Sequence, residues 1–241
     1  MRIRGPAPTL ISLHMPKAAG TSFVRSLEDH FGQALLRDYE DLLINTPPLK
    51  RRTRALVGCI LNSMRSYEGV ACIHGHFLPL KYWLLASRTG AQFVTWMRDP
   101  LERLASQYHH WLRTYDETTS PPLHRRVIVE GWSFERFCFS RELRNTCSQF
   151  LWVFPLDRFA FVGISERYEE DFDYFASTYL GKDTLPYQEN VNPDRPETPY
   201  INDPDLRRRM EEYHAADMAL YRRALELRAV RVGCRRGLNG R

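Results

Sequence analysis

Apolar residues along this chain fall into two patterns: short unbroken runs, and longer stretches where they return every three or four positions. The run at residues 9 to 15 (TLISLHM) predicts a short buried strand. Over residues 20 to 31, Phe23, Leu27 and Phe31 recur at helical spacing. Residues 70 to 74 and 91 to 97 read as further strands. The second of these is followed by a helix whose apolar face is Leu101, Leu104, Ala105, Tyr108 and Leu112. Asp99 stands at the N-cap of that helix, Pro100 at its first position and Glu102 in a capping box.

The polar stretch 115 to 131, with Pro121 and Pro122, predicts a loop ahead of helices around 133 to 151. A fourth strand at 159 to 164 precedes a helix from about 166 to 180. Residues 182 to 204 are rich in proline and asparagine and predict a long loop or lid. Asp203 and Pro204 then open a last helix carrying Leu206, Met210, Tyr213, Leu220, Ala224 and Leu227. The segment around Pro47 and Pro48, with the basic cluster at 50 to 54, predicts irregular structure, and the tail from about 230 to 241 reads as frayed and basic. Short strands alternating with helices imply an α/β fold with a central, mainly parallel sheet covered on both faces, and ligands at the carboxyl ends of its strands. At 241 residues, a single domain over 1–241 is the expectation.

Composition narrows the ligand rather than the fold. The net charge is +5, from 34 basic and 29 acidic residues, and the isoelectric point is near 9.0. This favours an anionic ligand, an acidic polymer or a membrane surface. Five cysteines without a C-x-x-C pair point to reduced thiols and a cytoplasmic location, and no run is long and apolar enough for a membrane span.

The strand-to-helix turn at 14 to 23, His-Met-Pro-Lys-Ala-Ala-Gly-Thr-Ser-Phe, carries the first candidate chemistry. A helix N-terminus offers unpaired N–H groups and partial positive charge to an anion, and small residues allow its close approach. Lys17 is either the cation of a phosphate loop or an ordinary charge on a turn. The order of residues is not that of a Walker A loop, whose lysine follows its second glycine, and no strand ends in an obvious Mg²⁺-binding aspartate. A second motif, RDPLERLASQY at 98 to 108, places Arg98 at a strand's carboxyl end and Ser106 two turns into the next helix, where the pair could clamp a second phosphate. Asp99 and Glu102 are explained by capping, and Arg103 by pairing with a carboxylate.

Together the two motifs resemble those of the sulfotransferases, in particular the carbohydrate 2-O-sulfotransferase branch and its bacterial relatives. The resemblance runs from about residue 10 to residue 200. It implies a P-loop-like three-layer α/β/α fold and 3′-phosphoadenosine 5′-phosphosulfate (PAPS) as co-substrate, leaving 3′,5′-ADP (PAP) as product, with no metal. On the matching positions, Lys17 would neutralise the oxygen that leaves with the 5′-phosphate. Ala18, Ala19, Gly20, Thr21, Ser22 and Phe23 would form the 5′-phosphosulfate loop, and Arg98 and Ser106 would hold the 3′-phosphate. The segment 72 to 77 (CIHGHF) then supplies a base for an acceptor hydroxyl, with His74 and His76 as candidates and His76 matching the family's position; histidine suits that role near neutral pH. A metal site would need two more ligands than this pair provides. His14 reads as a supporting core group. At 145 to 151 the positions where many bacterial relatives carry Gln, Thr and Arg hold Cys147, Ser148 and Gln149.

The expected acceptor is a saccharide or a small molecule, with no nucleic-acid partner; Tyr82, Trp83, Trp111 and Trp132 are either sugar-stacking or core residues. A kinase or NTPase using ATP and Mg²⁺, and a basic glycan- or nucleic-acid-binding module, are the competing classes.

Overall fold

A computed structural model of the chain describes residues 9–18, 20–41, 46–181 and 200–239. Along the chain it forms β1 (Leu10–Leu13), α1 (Gly20–Phe31), β2 (Leu35–Asp38), α2 (Pro48–Met64), β3 (Cys72–Gly75), α3 (Trp83–Thr89), β4 (Gln92–Met97), α4 (Pro100–Thr114), α5 (Pro122–Val129), α6 (Phe134–Cys138), α7 (Thr146–Phe150), β5 (Phe159–Ile164), α8 (Tyr168–Phe175), α9 (Pro204–Tyr213) and α10 (Ala215–Asn239). The described strands make one five-stranded sheet in the order β2-β3-β1-β4-β5, and every pairing is parallel. Parallel strands need helical crossovers that cover the faces, so the strands read as unbroken apolar runs and not as alternation. One face is closed by α1 and α8, with Phe23 edge-on to Trp96 and Phe175, and on the other side of the sheet Phe93 packs on Phe154. This is the α/β architecture that the element pattern implies.

Five readings of the sequence change. The segment after Pro47 is not irregular. Pro47 and Pro48 open α2, since a proline's missing N–H and fixed φ suit a first helical turn. Pro121 and Pro122 likewise open α5 inside the stretch read as a loop. The capping box at α4 is only half formed. Asp99 accepts from the backbone N–H groups of Leu101 at 2.8 Å and Glu102 at 3.1 Å, but its own N–H goes to Glu166 Oε1 at 2.9 Å. The frayed tail is helix to Asn239. Burial of Ala224, packing of the partly buried Leu227 on the core, and the pairing of Arg228 and Arg231 with the buried Asp171, at 2.9 and 2.7 Å, carry α10 along β5. The last helix is also interrupted at His214, so two helices stand where the sequence reads one. The lid expected at 182 to 204, with Asn190 and Asn192, lies outside the described residues up to 199, and so does the tail beyond Asn239.

Asp217 of α10 replaces a local cap for α7. Its carboxylate accepts from the N–H of Cys147 at 2.9 Å and from the N–H and hydroxyl of Ser148 at 2.8 and 2.7 Å, while Asn145 offers no side-chain cap. Cys147 and Ser148 are therefore committed to helix capping. Asp217→Ala strands the backbone N–H groups of Cys147 and Ser148, the first of them buried, and stability measured by urea unfolding should fall by about 2 to 3 kcal/mol.

Candidate functional site

The carboxyl ends of the three middle strands converge. Leu13 pairs with Gly75 and with Thr95, and the β1–β3 ladder continues one step further through the N–H of His14 donating to the Gly75 carbonyl at 2.8 Å. In a strand, alternate side chains share a face. Ser12 and His14 therefore line up beside His74 and His76, whose rings stack with that of His14 at 5.2 and 4.4 Å between centroids. Gly75 holds this row together. A Cβ there would sit 1.7 Å from the Asp38 carbonyl oxygen, so only glycine lets β2 come this close.

The three imidazoles differ in what they can do. His74 is 1% exposed, its Nδ1 lies 2.8 Å from Ser12 Oγ, and its Nε2 is enclosed without a partner among the described residues. This places it behind the row, away from a reacting group. His76 Nδ1 lies 2.7 Å from the His14 carbonyl oxygen. A carbonyl only accepts, so Nδ1 carries the proton and Nε2 keeps its lone pair. His14 Nδ1 contacts the Tyr39 hydroxyl at 3.2 Å. Burial pushes all three imidazoles below their usual range, His74 to about 3 and His76 to about 4, and all three are neutral at pH 7. Because the unfolded chain protonates first as pH falls through about 6.5, these groups stabilise the fold above that pH, and the contribution is lost between about pH 6.5 and 3. Urea midpoints should therefore drop over that range more steeply than in His74→Asn; equal slopes for the two proteins would contradict this.

Beyond β1 the chain turns at Lys17, which takes φ +63°, a left-handed conformation costly for a residue with a Cβ. The turn is closed by the Ala18 N–H to the Met15 carbonyl at 3.3 Å and leads into α1. Arg98, at the end of β4, donates through Nη1 to the Lys17 carbonyl oxygen at 3.4 Å, so the two sequence motifs meet. Burial, reinforced by the charges of Arg98 and Arg113, lowers the Lys17 ammonium to about 8. Across the turn stands α4, whose His110 is held at about 4 by burial and by the charges of Lys17 and Arg113. Ser106, half-buried, is one turn before His110 and two before Arg113 on that face.

Lys17, Arg98 and Arg113 thus share one partly desolvated locus, where concentrated positive charge favours a polyanion. Ala18 is buried, and Ser22 sits in the first turns of α1 with its carbonyl accepting from Ser26 Oγ at 3.3 Å. The Phe23 side chain is enclosed in the core, which leaves only its backbone to face an anion. Ala19 lies outside the described residues; of Gly20 and Thr21 only the helical backbone is described.

Several residues at this edge escaped the sequence reading. Arg51 of α2 is buried over the Phe150 ring at 5.6 Å and donates through Nη2 to the Gln149 carbonyl at 3.2 Å. Its Nε and Nη1 have no partner among the described residues. The Phe150 ring in turn lies 6.0 Å from that of His76, and the Asp41 N–H donates to the His76 carbonyl at 3.2 Å. Distance in sequence hid all of these, and the signal that could have found Arg51 is the cluster at 50 to 54. Tyr82, Trp111 and Trp132 are buried core residues, and Arg103, read as a carboxylate partner, instead donates to Gln107 Oε1 at 2.9 Å. Among the described residues no three His, Cys, Asp or Glu side chains are grouped to hold a metal ion, and no helix is long and apolar enough to cross a membrane.

No protein-family model matches the chain, and no curated protein matches its sequence. Among solved structures it is similar to a sulfotransferase from Alicyclobacillus acidocaldarius, at 18% identity over 88% of this chain and 93% of that one, with a TM-score of 0.48. It is also similar to the mouse sulfotransferase SULT7A1 solved with PAP, at 11% identity over 87% of this chain and 64% of that one, with a TM-score of 0.36. At these values the likeness assigns no activity, and function rests on the residues themselves.

Proposed function

We propose that the chain is a single sulfotransferase domain that moves the sulfuryl group of PAPS to the hydroxyl of a saccharide or small-molecule acceptor, without a metal, in the cytoplasm. The observation that carries this reading is the meeting of the two motifs. The Lys17 turn and the Arg98 strand end are hydrogen-bonded to one another, next to a neutral histidine whose Nε2 is left as an acceptor. A nucleotide with phosphate at both its 5′ and 3′ positions needs two neighbouring anion sites, and the helix N-terminus of α1 with Lys17, and Arg98 with Ser106, supply them.

In the reaction the acceptor oxygen attacks sulfur as the bond from sulfur to the 5′-phosphate oxygen breaks. The acceptor proton passes to His76 Nε2, and the electron pair of the broken bond leaves on the phosphate, where Lys17 neutralises it. Arrival of the polyanion raises the affinity of both groups for protons, so the histidine becomes a better base and the lysine stays charged once nucleotide is bound. Because free Lys17 loses its proton near pH 8, kcat/KM for the nucleotide should fall above about pH 8. The direct test of the reaction is incubation of the protein with sulfur-labelled PAPS and a panel of saccharides and hydroxylated small molecules, in buffer with and without EDTA. Label transferred to a hydroxyl, unaffected by EDTA, is expected; nucleotide binding with no transfer to any hydroxyl would overturn the assignment.

A further inference from the structure

A surface helix normally turns its polar face to water. Helix α2 does the reverse. Its inward face offers little more than Ala55, Cys59 and Arg51, whereas Leu49 and Met64 are 77% and 76% exposed and Leu56, Val57, Ile60 and Leu61 are each at least half exposed. At 100° per residue these six form one outward stripe about 140° wide along the whole helix. Within that arc only Thr53 and Lys50 are polar, and an aliphatic face of this length on a surface element marks an interaction site.

The charges around the stripe select its occupant. Residues 48 to 67 contain no Asp or Glu. Exposed Lys50 and Arg52 stand at the amino end of the stripe toward its two edges, and exposed Arg65 and Arg88 at its carboxyl end, where Arg88 Nη1 donates to the Ser63 carbonyl at 2.6 Å. None of these four is paired with a carboxylate among the described residues. Arg52 lies over the half-buried Trp152 ring at 5.0 Å, and next to it Val153, 66% exposed, extends the apolar surface. A second copy of the chain docked through this face would bring these cations together with no acid to answer them. The stripe also lacks the aromatic anchors that dominate protein interfaces. Aliphatic residues ringed by lysine and arginine instead match the boundary between acyl chains and anionic headgroups.

We infer that α2 is a membrane-surface docking helix that lies on anionic lipid, Leu49, Leu56, Ile60 and Met64 entering the acyl boundary while Lys50, Arg52, Arg65 and Arg88 contact the headgroups. It brings the protein to the bilayer on the side of the fold where Arg51 packs on Phe150, the ring next to His76, and the Asp41 N–H meets the His76 carbonyl. The inference stands apart from the proposed reaction, because it concerns an outward face and is read out by binding alone.

The test is co-sedimentation of the full chain with vesicles of phosphatidylcholine, and of phosphatidylcholine mixed with phosphatidylglycerol, at low and high salt. Binding to the anionic vesicles is expected, weakened by salt and absent with phosphatidylcholine alone. The double variant Leu56→Glu, Ile60→Glu should lose at least about tenfold in binding, as should Lys50→Glu, Arg52→Glu. Both pairs are exposed, and unchanged thermal unfolding verifies that each variant folds. Equal binding to both vesicle types, or none to either, would overturn the inference. So would a dimer in solution that Leu56→Glu, Ile60→Glu separates, since a second copy would then cover the stripe.

Discussion

Lys17→Ala is expected to lower turnover by about 10²- to 10³-fold, the loss that follows removal of one donor aimed at developing charge. Affinity for 3′,5′-ADP should stay within about tenfold of the unaltered protein, since one contact of about 1.4 kcal/mol is the most that ground-state binding stands to lose. The split follows from where the charge is needed. On the proposed reading the ground-state nucleotide is also held by backbone N–H groups at the start of α1, which take the 5′-phosphate, and by Arg98 and Ser106, which take the 3′-phosphate, with the Arg113 charge in the same locus. As the bond to sulfur breaks, new negative charge accumulates on the leaving oxygen, and a desolvated ammonium acts more strongly there than in water. The left-handed turn that presents Lys17 is a standing cost to the fold, one that a residue serving only as a solvated charge has no reason to carry. Equal loss of turnover and of 3′,5′-ADP affinity would make Lys17 a binding residue and nothing more. Steady-state kinetics beside calorimetric titration decide between the two.

His76→Asn should remove about 10²- to 10⁴-fold of turnover, the usual contribution of a general base. Asparagine suits the experiment because its amide N–H can still donate to the His14 carbonyl, which His76 Nδ1 does at 2.7 Å. The fold around the strand ends is then kept while the Nε2 lone pair is lost. The acid limb of the pH–rate profile should disappear with it. Near-normal turnover in this variant would move the base elsewhere. His14 would be the first candidate, since it stacks on His76 at 4.4 Å and is held neutral by the same burial.

How much of this was legible beforehand depends on how local each signal is. The turn at Lys17, the capping Asp99 and the HGH segment lie within single strand-to-helix or strand-end units, so residue type and order reveal them. Strand β2 did not show, because four residues reading Leu-Leu-Arg-Asp carry too little pattern to stand out from the end of α1. Helix α2 did not show because its apolar residues face outward, so the usual period pointed to no core. The site was legible as two motifs and a histidine pair, but the role of each histidine was not. Only the register Ser12–His74 and Leu13–Gly75 puts His14 into the row, encloses His74 and turns Nε2 of His76 into the available acceptor. Arg51, Arg113 and Tyr39 come from distant segments, and their convergence is a property of the sheet order.

On the proposed reading, the Lys17 turn, and Arg98 at the end of β4 with Ser106 of α4, together grip one nucleotide carrying both 5′ and 3′ phosphates. Calorimetric titration of 3′,5′-ADP against 5′-ADP and against ATP with Mg²⁺ tests it most directly. 3′,5′-ADP is expected to bind most tightly, to need no metal, and to drop by at least about tenfold, toward the affinity of 5′-ADP, in Arg98→Ala. Tight binding of ATP with Mg²⁺ alongside failure to bind 3′,5′-ADP would contradict it and make the protein a nucleoside-triphosphate enzyme.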